Sequence, residues 1–126
     1  MIRYITLAII SLWMTACAAH DSYYYSLHPK LLQQALQACP AKQPSNISCD
    51  ELKNIALHIN ESAYQLRLDP QGYGKKILLL QQTIAQQESA LQEKSNQPDL
   101  QSSLKENKRN LQERLAIVKW LESPEG

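Results

Sequence analysis

Two cysteines, Cys39 and Cys49, constrain the fold of this 126-residue chain more than any other feature. A third cysteine, Cys17, follows an apolar stretch near the amino terminus, and an odd number of cysteines leaves one thiol to be explained. If Cys17 is used elsewhere, the other two form an even pair, which persists as a disulfide in an oxidising compartment. Closing a loop of about 11 residues stabilises a fold by roughly 2.5 to 3 kcal/mol in the chain-entropy model.

A zinc site is the alternative reading of the cysteine pair. It requires two further ligands, and the nearby candidates are His28 and His58. Their spacing from the cysteines matches no known ligand pattern. We therefore expect no metal and no cofactor.

The amino terminus has the layout of a secretory signal, in which Arg3 precedes an apolar stretch and small residues follow it. The stretch has about ten apolar residues, whereas a membrane-spanning helix needs about 20. Met14-Thr15-Ala16-Cys17 resembles the lipobox of bacterial lipoproteins, in which the cysteine is acylated and becomes the first mature residue. An ordinary cleaved signal is the alternative. We predict a lipoprotein signal peptide over residues 1–16 and lipidation of Cys17, which anchors the protein in the cell envelope facing the periplasm.

The mature composition favours helices. The chain has no Phe and only three glycines, while strand-rich folds use aromatic residues and glycine-rich turns. Without Arg3, twelve basic side chains face twelve acidic ones, so the net charge does not call for a nucleic-acid partner. We predict an all-α fold.

The first half predicts a disulfide-clamped helical hairpin over residues 17–70. After a flexible tether at 18–22, helix one starts near Pro29, carries an amphipathic face and ends at Pro40. Helix two begins near Asp50, with Ser48 or Asp50 as its N-cap. Its apolar positions recur at helical spacing through Leu52, Ile55, Ala56, Ile59, Ala63 and Leu66.

The second half predicts a longer antiparallel, coiled-coil-like hairpin over residues 71–126. The segment "LDPQGYG" (68–74) is the natural joint between the halves, so a helix is expected from Lys75 to about Lys94. Pro98 starts the next helix. The apolar positions follow a heptad pattern that includes Ile77, Ile84 and Leu91 in one helix and Leu104, Leu111 and Val118 in the other.

Polar residues interrupt this seam. Gln87 and Asn107 either fix the register of the helices or lie on a solvated edge of the hairpin, and the second interpretation is favoured because no strict heptad seam is sustained. Arg114 is a further polar residue within the heptad pattern of the second helix, and Leu115 beside it widens the apolar stripe of that helix. Trp120 is expected to be a core or capping residue, whereas an exposed Trp120 would mark a partner site.

No catalytic constellation emerges from the sequence. The three histidines, His20, His28 and His58, are scattered, and no nucleophile motif accompanies them. A phosphate-binding glycine loop is also missing from the sequence. We expect neither an enzyme nor a protein with a small-molecule substrate.

The region from Cys17 to about Ala56 resembles the small entry-exclusion lipoproteins of conjugative elements, the TrbK/EexN-like group. The resemblance consists of a lipobox cysteine, a short tether, an aromatic pair before His-Pro, an apolar helix ending in Cys and a second Cys further on. The family typically has Trp where this chain has Tyr24. The matching residues are Tyr24, Tyr25, His28, Pro29, Leu32, Leu36, Cys39 and Cys49.

The resemblance implies a membrane-anchored periplasmic protein that blocks uptake of a redundant element by contacting a type IV secretion component. Its contact surface would include Tyr24, Tyr25 and His28. A structural role is the favoured interpretation of these three residues, with the tyrosines packing at the start of helix one and His28 setting the entry to the helix before Pro29, because hydrophobic staples are common at helix starts.

A second hypothesis is a structural or assembly lipoprotein of the envelope, pilotin-like or an adaptor, whose carboxy-terminal hairpin pairs with a partner helix. The face that carries Ile77, Ile84 and Leu91 separates the two hypotheses. If this face is buried within the hairpin, the adaptor hypothesis loses its main surface.

Overall fold

The computed structural model describes residues 21–123, and every regular element in that range is an α-helix. The predicted all-α fold is therefore confirmed. The predicted signal peptide and Cys17 lie outside the described residues, so lipidation stays a prediction. The helices are α1 (Ser22–Leu27), α2 (Pro29–Ala38), α3 (Cys49–Leu68), α4 (Pro70–Glu93) and α5 (Pro98–Glu122).

The chain forms a short helix before the first predicted one. Asp21 caps α1 by accepting a hydrogen bond from the backbone N–H of Tyr24 at 2.8 Å. The flexible tether predicted for residues 18–22 was therefore extended too far, since Ser22 is already helical. Proline disfavours the helical conformation in the residue before it, so the chain leaves α1 at His28 and begins α2 at Pro29.

The disulfide joins the end of α2 to the start of α3, as predicted. Cys39 follows the last residue of α2, Cys49 is the first residue of α3, and their Cα atoms are 6.1 Å apart. Of the two predicted caps, Ser48 is the N-cap. Its Oγ accepts from the N–H of Glu51 at 3.1 Å, and Glu51 Oε2 accepts from the N–H of Ser48 at 3.2 Å. This capping box satisfies two backbone donors at the point where the crosslink holds the helix.

The joint between the two halves is shorter than predicted. Helix α4 begins at Pro70 rather than Lys75, and Gly72 and Gly74 lie inside it. Asp69 alone makes the turn, and its carboxylate accepts from the N–H of Gly72 at 2.9 Å. A Cβ at Gly72 would collide with this carboxylate, so the glycine leaves room for the cap. Proline at the first position and a capping Asp outweigh the low helix propensity of the two glycines.

Helices α4 and α5 form the predicted hairpin, with a short connection before Pro98. The two polar seam residues meet inside it: Asn107 donates to Gln87 Oε1 at 3.0 Å, and Gln87 donates to Ser103 Oγ at 2.9 Å. Both Gln87 and Asn107 are half-buried. The pair joins the two helices in one register, as the first interpretation predicts, and it stays partly exposed at the edge of the hairpin.

One core connects both halves of the chain. Leu32 of α2, Leu52 of α3 and Ile117 of α5 are its largest fully buried side chains. Helix α5 contacts each of the other four helices. Trp120 packs against the core while keeping part of its surface exposed, which agrees with the core position predicted for it. The second hairpin thus lies on the first and shares its core.

Truncating Leu52 tests this core. We expect Leu52→Ala to lower the free energy of unfolding by about 2 to 5 kcal/mol, because the side chain is fully buried and its loss leaves a cavity. Leu57→Ala is the matched control in the same helix, since Leu57 is 67% exposed. The measurement is urea denaturation followed by circular dichroism, and equal losses in the two variants would contradict the packing.

Removing the crosslink tests its contribution to stability. We expect Cys39→Ser/Cys49→Ser to lose about 3 kcal/mol, the loop-closure entropy of the unfolded chain. The double variant leaves no unpaired thiol at either position. Thermal unfolding of both forms, with the wild type also measured under reducing conditions, gives the difference. An unchanged midpoint on reduction would show that the bridge adds nothing.

Candidate contact surface

The residues implied by the family resemblance lie together at the junction of α1 and α2. The rings of Tyr24 and His28 stack, with centroids 4.2 Å apart and planes 24° from parallel. His28 Nδ1 lies 2.7 Å from the backbone carbonyl oxygen of Tyr24. A carbonyl only accepts, so Nδ1 carries the proton and donates. His28 is exposed, and this stacking fixes the orientation of its ring.

Tyr25 has a different environment. It is 6% exposed and belongs to the core that also contains Leu32, Leu52 and Ile117. Its ring meets that of Tyr24 edge-on, at a centroid distance of 5.9 Å. Tyr25 is therefore a core residue on which the ring of Tyr24 packs, as the structural interpretation of the tyrosines predicts. The accessible part of the trio is formed by Tyr24 and His28.

Beside His28 a groove of about 450 Å³ runs between the start of α2 and the carboxy-terminal end of α5. Its lining is mainly apolar and includes Leu31, Leu115, Ala116 and Trp120. Leu115 is 37% exposed, so a large aliphatic side chain faces solvent at the groove. We call this set, with His28, the contact groove. Concave apolar surface of this kind is typical of binding sites rather than of ordinary protein surface.

Basic side chains accompany the apolar lining. Lys30 and Lys119 both line the contact groove, and no acidic residue among residues 21–123 does. A ligand segment that fits these surroundings is apolar on one side and acidic at its edges, because opposite charges at the rim favour encounter and orientation.

A neighbouring contact fixes α1 against α5. The guanidinium of Arg109 lies over the ring of Tyr23, 4.6 Å from its centroid. The hydroxyl of Ser26, which is buried, lies 2.7 Å from the backbone carbonyl oxygen of Tyr23 and 3.0 Å from Glu113 Oε1, and these two acceptors share its one proton. These two contacts hold α1 against α5 beside the contact groove.

The face predicted for an adaptor is turned inward. Ile84 is buried, Ile77 and Leu91 are half-buried, and the helix that carries them packs most extensively on α5. Other apolar side chains are exposed instead. Leu57, Tyr64 and Leu68 recur at helical spacing on α3 and are between 61% and 67% exposed, and Leu78 and Leu79 of α4 are also exposed.

Sequence reasoning did not find the groove, although part of its signal was visible. Leu115 widens the apolar stripe of α5, and Trp120 follows five residues later. The sequence does not reveal that the α1–α2 junction lies against this stripe, since that depends on long-range packing. Arg114 was interpreted as a residue that dilutes the seam, but its guanidinium lies over the Tyr73 ring, 4.9 Å from the centroid.

Residues 21–123 bring together no group of three or more His, Cys, Asp or Glu side chains that would hold a metal ion. None of the five helices combines the length and the apolar character that crossing a bilayer requires. Comparison of the chain with protein-family models, with curated proteins and with solved structures finds no match.

Proposed function

We propose that the protein is a lipid-anchored envelope protein of bacteria that acts by protein–protein contact, and that it serves in entry exclusion against conjugative type IV secretion. The single observation that carries the proposal is the contact groove, where exposed Leu115 and half-buried Trp120 lie beside His28. The resemblance of residues 17–56 to entry-exclusion lipoproteins supplies the partner class.

The chemistry of the groove supports binding rather than reaction. An aromatic and an aliphatic side chain in a concave site are the usual anchors of a protein interface. Lys30 and Lys119 add positive charge beside them. The partner segment is therefore a helix or loop of a secretion component with apolar anchors and acidic flanks.

The predicted anchor at Cys17 adds to this binding. An acyl chain confines the protein to a membrane surface, which raises its effective concentration near a partner in the same membrane. A weak groove contact then suffices for occupancy. The disulfide between Cys39 and Cys49 suits an oxidising envelope compartment.

An assembly or adaptor role, pilotin-like, is the second candidate, and one observation favours it. The α3 stripe formed by Leu57, Tyr64 and Leu68 is exposed and has apolar residues on one helical face. The face that carries Ile77, Ile84 and Leu91 packs on α5, so a partner helix would pack on this α3 stripe instead. The two candidates therefore use different residues, and variants separate them.

A mating assay tests the proposed function. Recipients that make the wild-type protein should acquire the conjugative element that carries its gene at a lower frequency than recipients without the protein. Cys17→Ser should move the protein out of the membrane fraction and restore acquisition, because the anchor is lost. Normal acquisition by recipients that demonstrably contain the wild-type protein would remove the exclusion hypothesis.

Two charge substitutions locate the contact. Leu115→Glu should weaken exclusion by about tenfold, the effect of losing roughly 1.4 kcal/mol of binding. Leu57→Glu is the matched control, an exposed leucine outside the groove, and should leave exclusion unchanged. The opposite pattern would contradict the groove as the site of contact and place the exclusion contact on the α3 stripe. Circular dichroism of both variants confirms that they fold.

A further inference from the structure

A second concave site lies on the other face of α5. It is a pocket of about 420 Å³ between α3, α4 and α5, and it shares no lining residue with the contact groove. From α5 it receives Asn110, Glu113, Arg114 and Ile117, which recur at three- and four-residue spacing and so lie on one helical face. Unlike the groove, this pocket has as much polar as apolar surface.

Arg114 is the distinctive residue of the pocket. Its Nη1 is shielded from solvent and finds no acceptor among residues 21–123. The guanidinium is held over the ring of buried Tyr73, and the Tyr73 hydroxyl is in turn 2.9 Å from Ser62 Oγ. A buried cationic donor without an acceptor is unfavourable. Because Nη1 is shielded from solvent, a ligand in the pocket would meet the guanidinium through the atoms of Arg114 that line the pocket, and its carboxylate would form a charge-assisted hydrogen bond there.

The carboxylates that line the pocket do not supply that acceptor. Glu113 Oε1 lies 3.0 Å from Ser26 Oγ, whose one proton also has the Tyr23 carbonyl oxygen as an acceptor, and Glu113 Oε2 lies 3.9 Å from His58 Nε2. The other acidic residue of the lining, Glu61, is exposed and forms no ion pair within the described residues. The charge of Glu113 is thus directed towards α1 and His58, and Arg114 is left to a ligand.

A second cation and an apolar wall complete the site. Lys76 of α4 lines the pocket and forms no ion pair within residues 21–123. Leu79, Leu80 and Ile117 supply apolar surface beside the charged groups. A guanidinium, an ammonium and aliphatic side chains together match a molecule with a carboxylate at one end and a small apolar body.

We propose that this pocket binds a small carboxylate-bearing molecule with an aliphatic body, whose carboxylate pairs with Arg114 and Lys76. The size of the pocket suits a ligand of about the size of an acylated amino acid. The site binds without turnover, and it is independent of the proposed exclusion function because it uses none of the groove residues.

The test is a titration of the isotope-labelled full-length protein with three probes, followed by two-dimensional NMR. N-acetyl-L-leucine carries the carboxylate and the aliphatic body, L-leucinamide keeps the body but lacks the carboxylate, and inorganic phosphate has charge without the body. We expect saturable shifts at the pocket residues with N-acetyl-L-leucine, with a dissociation constant of about 1 mM or lower. The other two probes should bind at least about tenfold more weakly.

Three substitutions assign the binding to named side chains. Arg114→Gln should weaken N-acetyl-L-leucine binding by about tenfold or more, because the charge-assisted pair is lost. Lys76→Gln should weaken it by about threefold, and Lys75→Gln is the matched control that should leave it unchanged, since Lys75 does not line the pocket. If Arg114→Gln fails to give a folded spectrum, the comparison of Lys76→Gln with Lys75→Gln decides.

Several results would overturn the proposal. These are the absence of saturable shifts with N-acetyl-L-leucine, equal binding of L-leucinamide, equal binding of phosphate, or equal effects of the two lysine substitutions. Shifts confined to the contact groove would also overturn it. None of these outcomes bears on the mating assay, so failure of the pocket and failure of the exclusion function are distinguishable.

Discussion

The packing of α5 against all four other helices is the contact on which the rest of the structure depends. Ile117 is 2% exposed and lies in the same core as Leu32 and Leu52, although it is far from both in sequence. A two-helix hairpin alone buries little apolar surface, and so does the short crosslinked segment before it. Through α5 each half covers an apolar face of the other, and the chain gains one shared core.

The same stretch of α5 builds both concave sites. Residues facing one way, with Leu115 and Lys119 among them, form a wall of the contact groove. Residues facing the other way, with Glu113 and Arg114 among them, line the polar pocket. Because the two sets alternate along the same stretch of helix, which also carries the core residue Ile117, a shift of α5 would alter both sites together. The disulfide and the Ser48 capping box contribute by fixing where α3 begins, and thus the surface that α5 packs on.

Local signals in the sequence are sufficient for the crosslink and for most of the helices. Cysteine counting gave the Cys39–Cys49 bridge, and proline at the first helical position marked the starts of α2 and α5. Gly72 and Gly74 predict a break in the chain and a start of α4 at Lys75. The helix begins at Pro70 instead, because the Asp69 cap and the proline determine the local structure there. The short helix α1 is not predicted from the sequence, because only six residues lie between its N-cap, Asp21, and His28.

Contacts between distant segments were not predictable from periodicity. The stripe pattern showed which residues of α5 are apolar, but it could not show that α1 and α2 cover one side of that helix. The family resemblance implies that Tyr25 belongs to the contact surface with Tyr24, whereas Tyr25 lies in the core, as the structural interpretation of the tyrosines predicts. The position of Arg114 over Tyr73 depends on α4 and α5 being packed in one register, which the Gln87–Asn107 pair helps to set.

Native-state hydrogen exchange tests most directly whether α5 unites the two halves. The account predicts that the slowest amides around Leu52 in α3 and around Ile117 in α5 open with the same free energy, to within about 1 kcal/mol, because both belong to one cooperative unit. Exchange of the α4–α5 hairpin at a free energy lower by about 2 kcal/mol or more, with α3 still protected, would show two independent units and contradict the account.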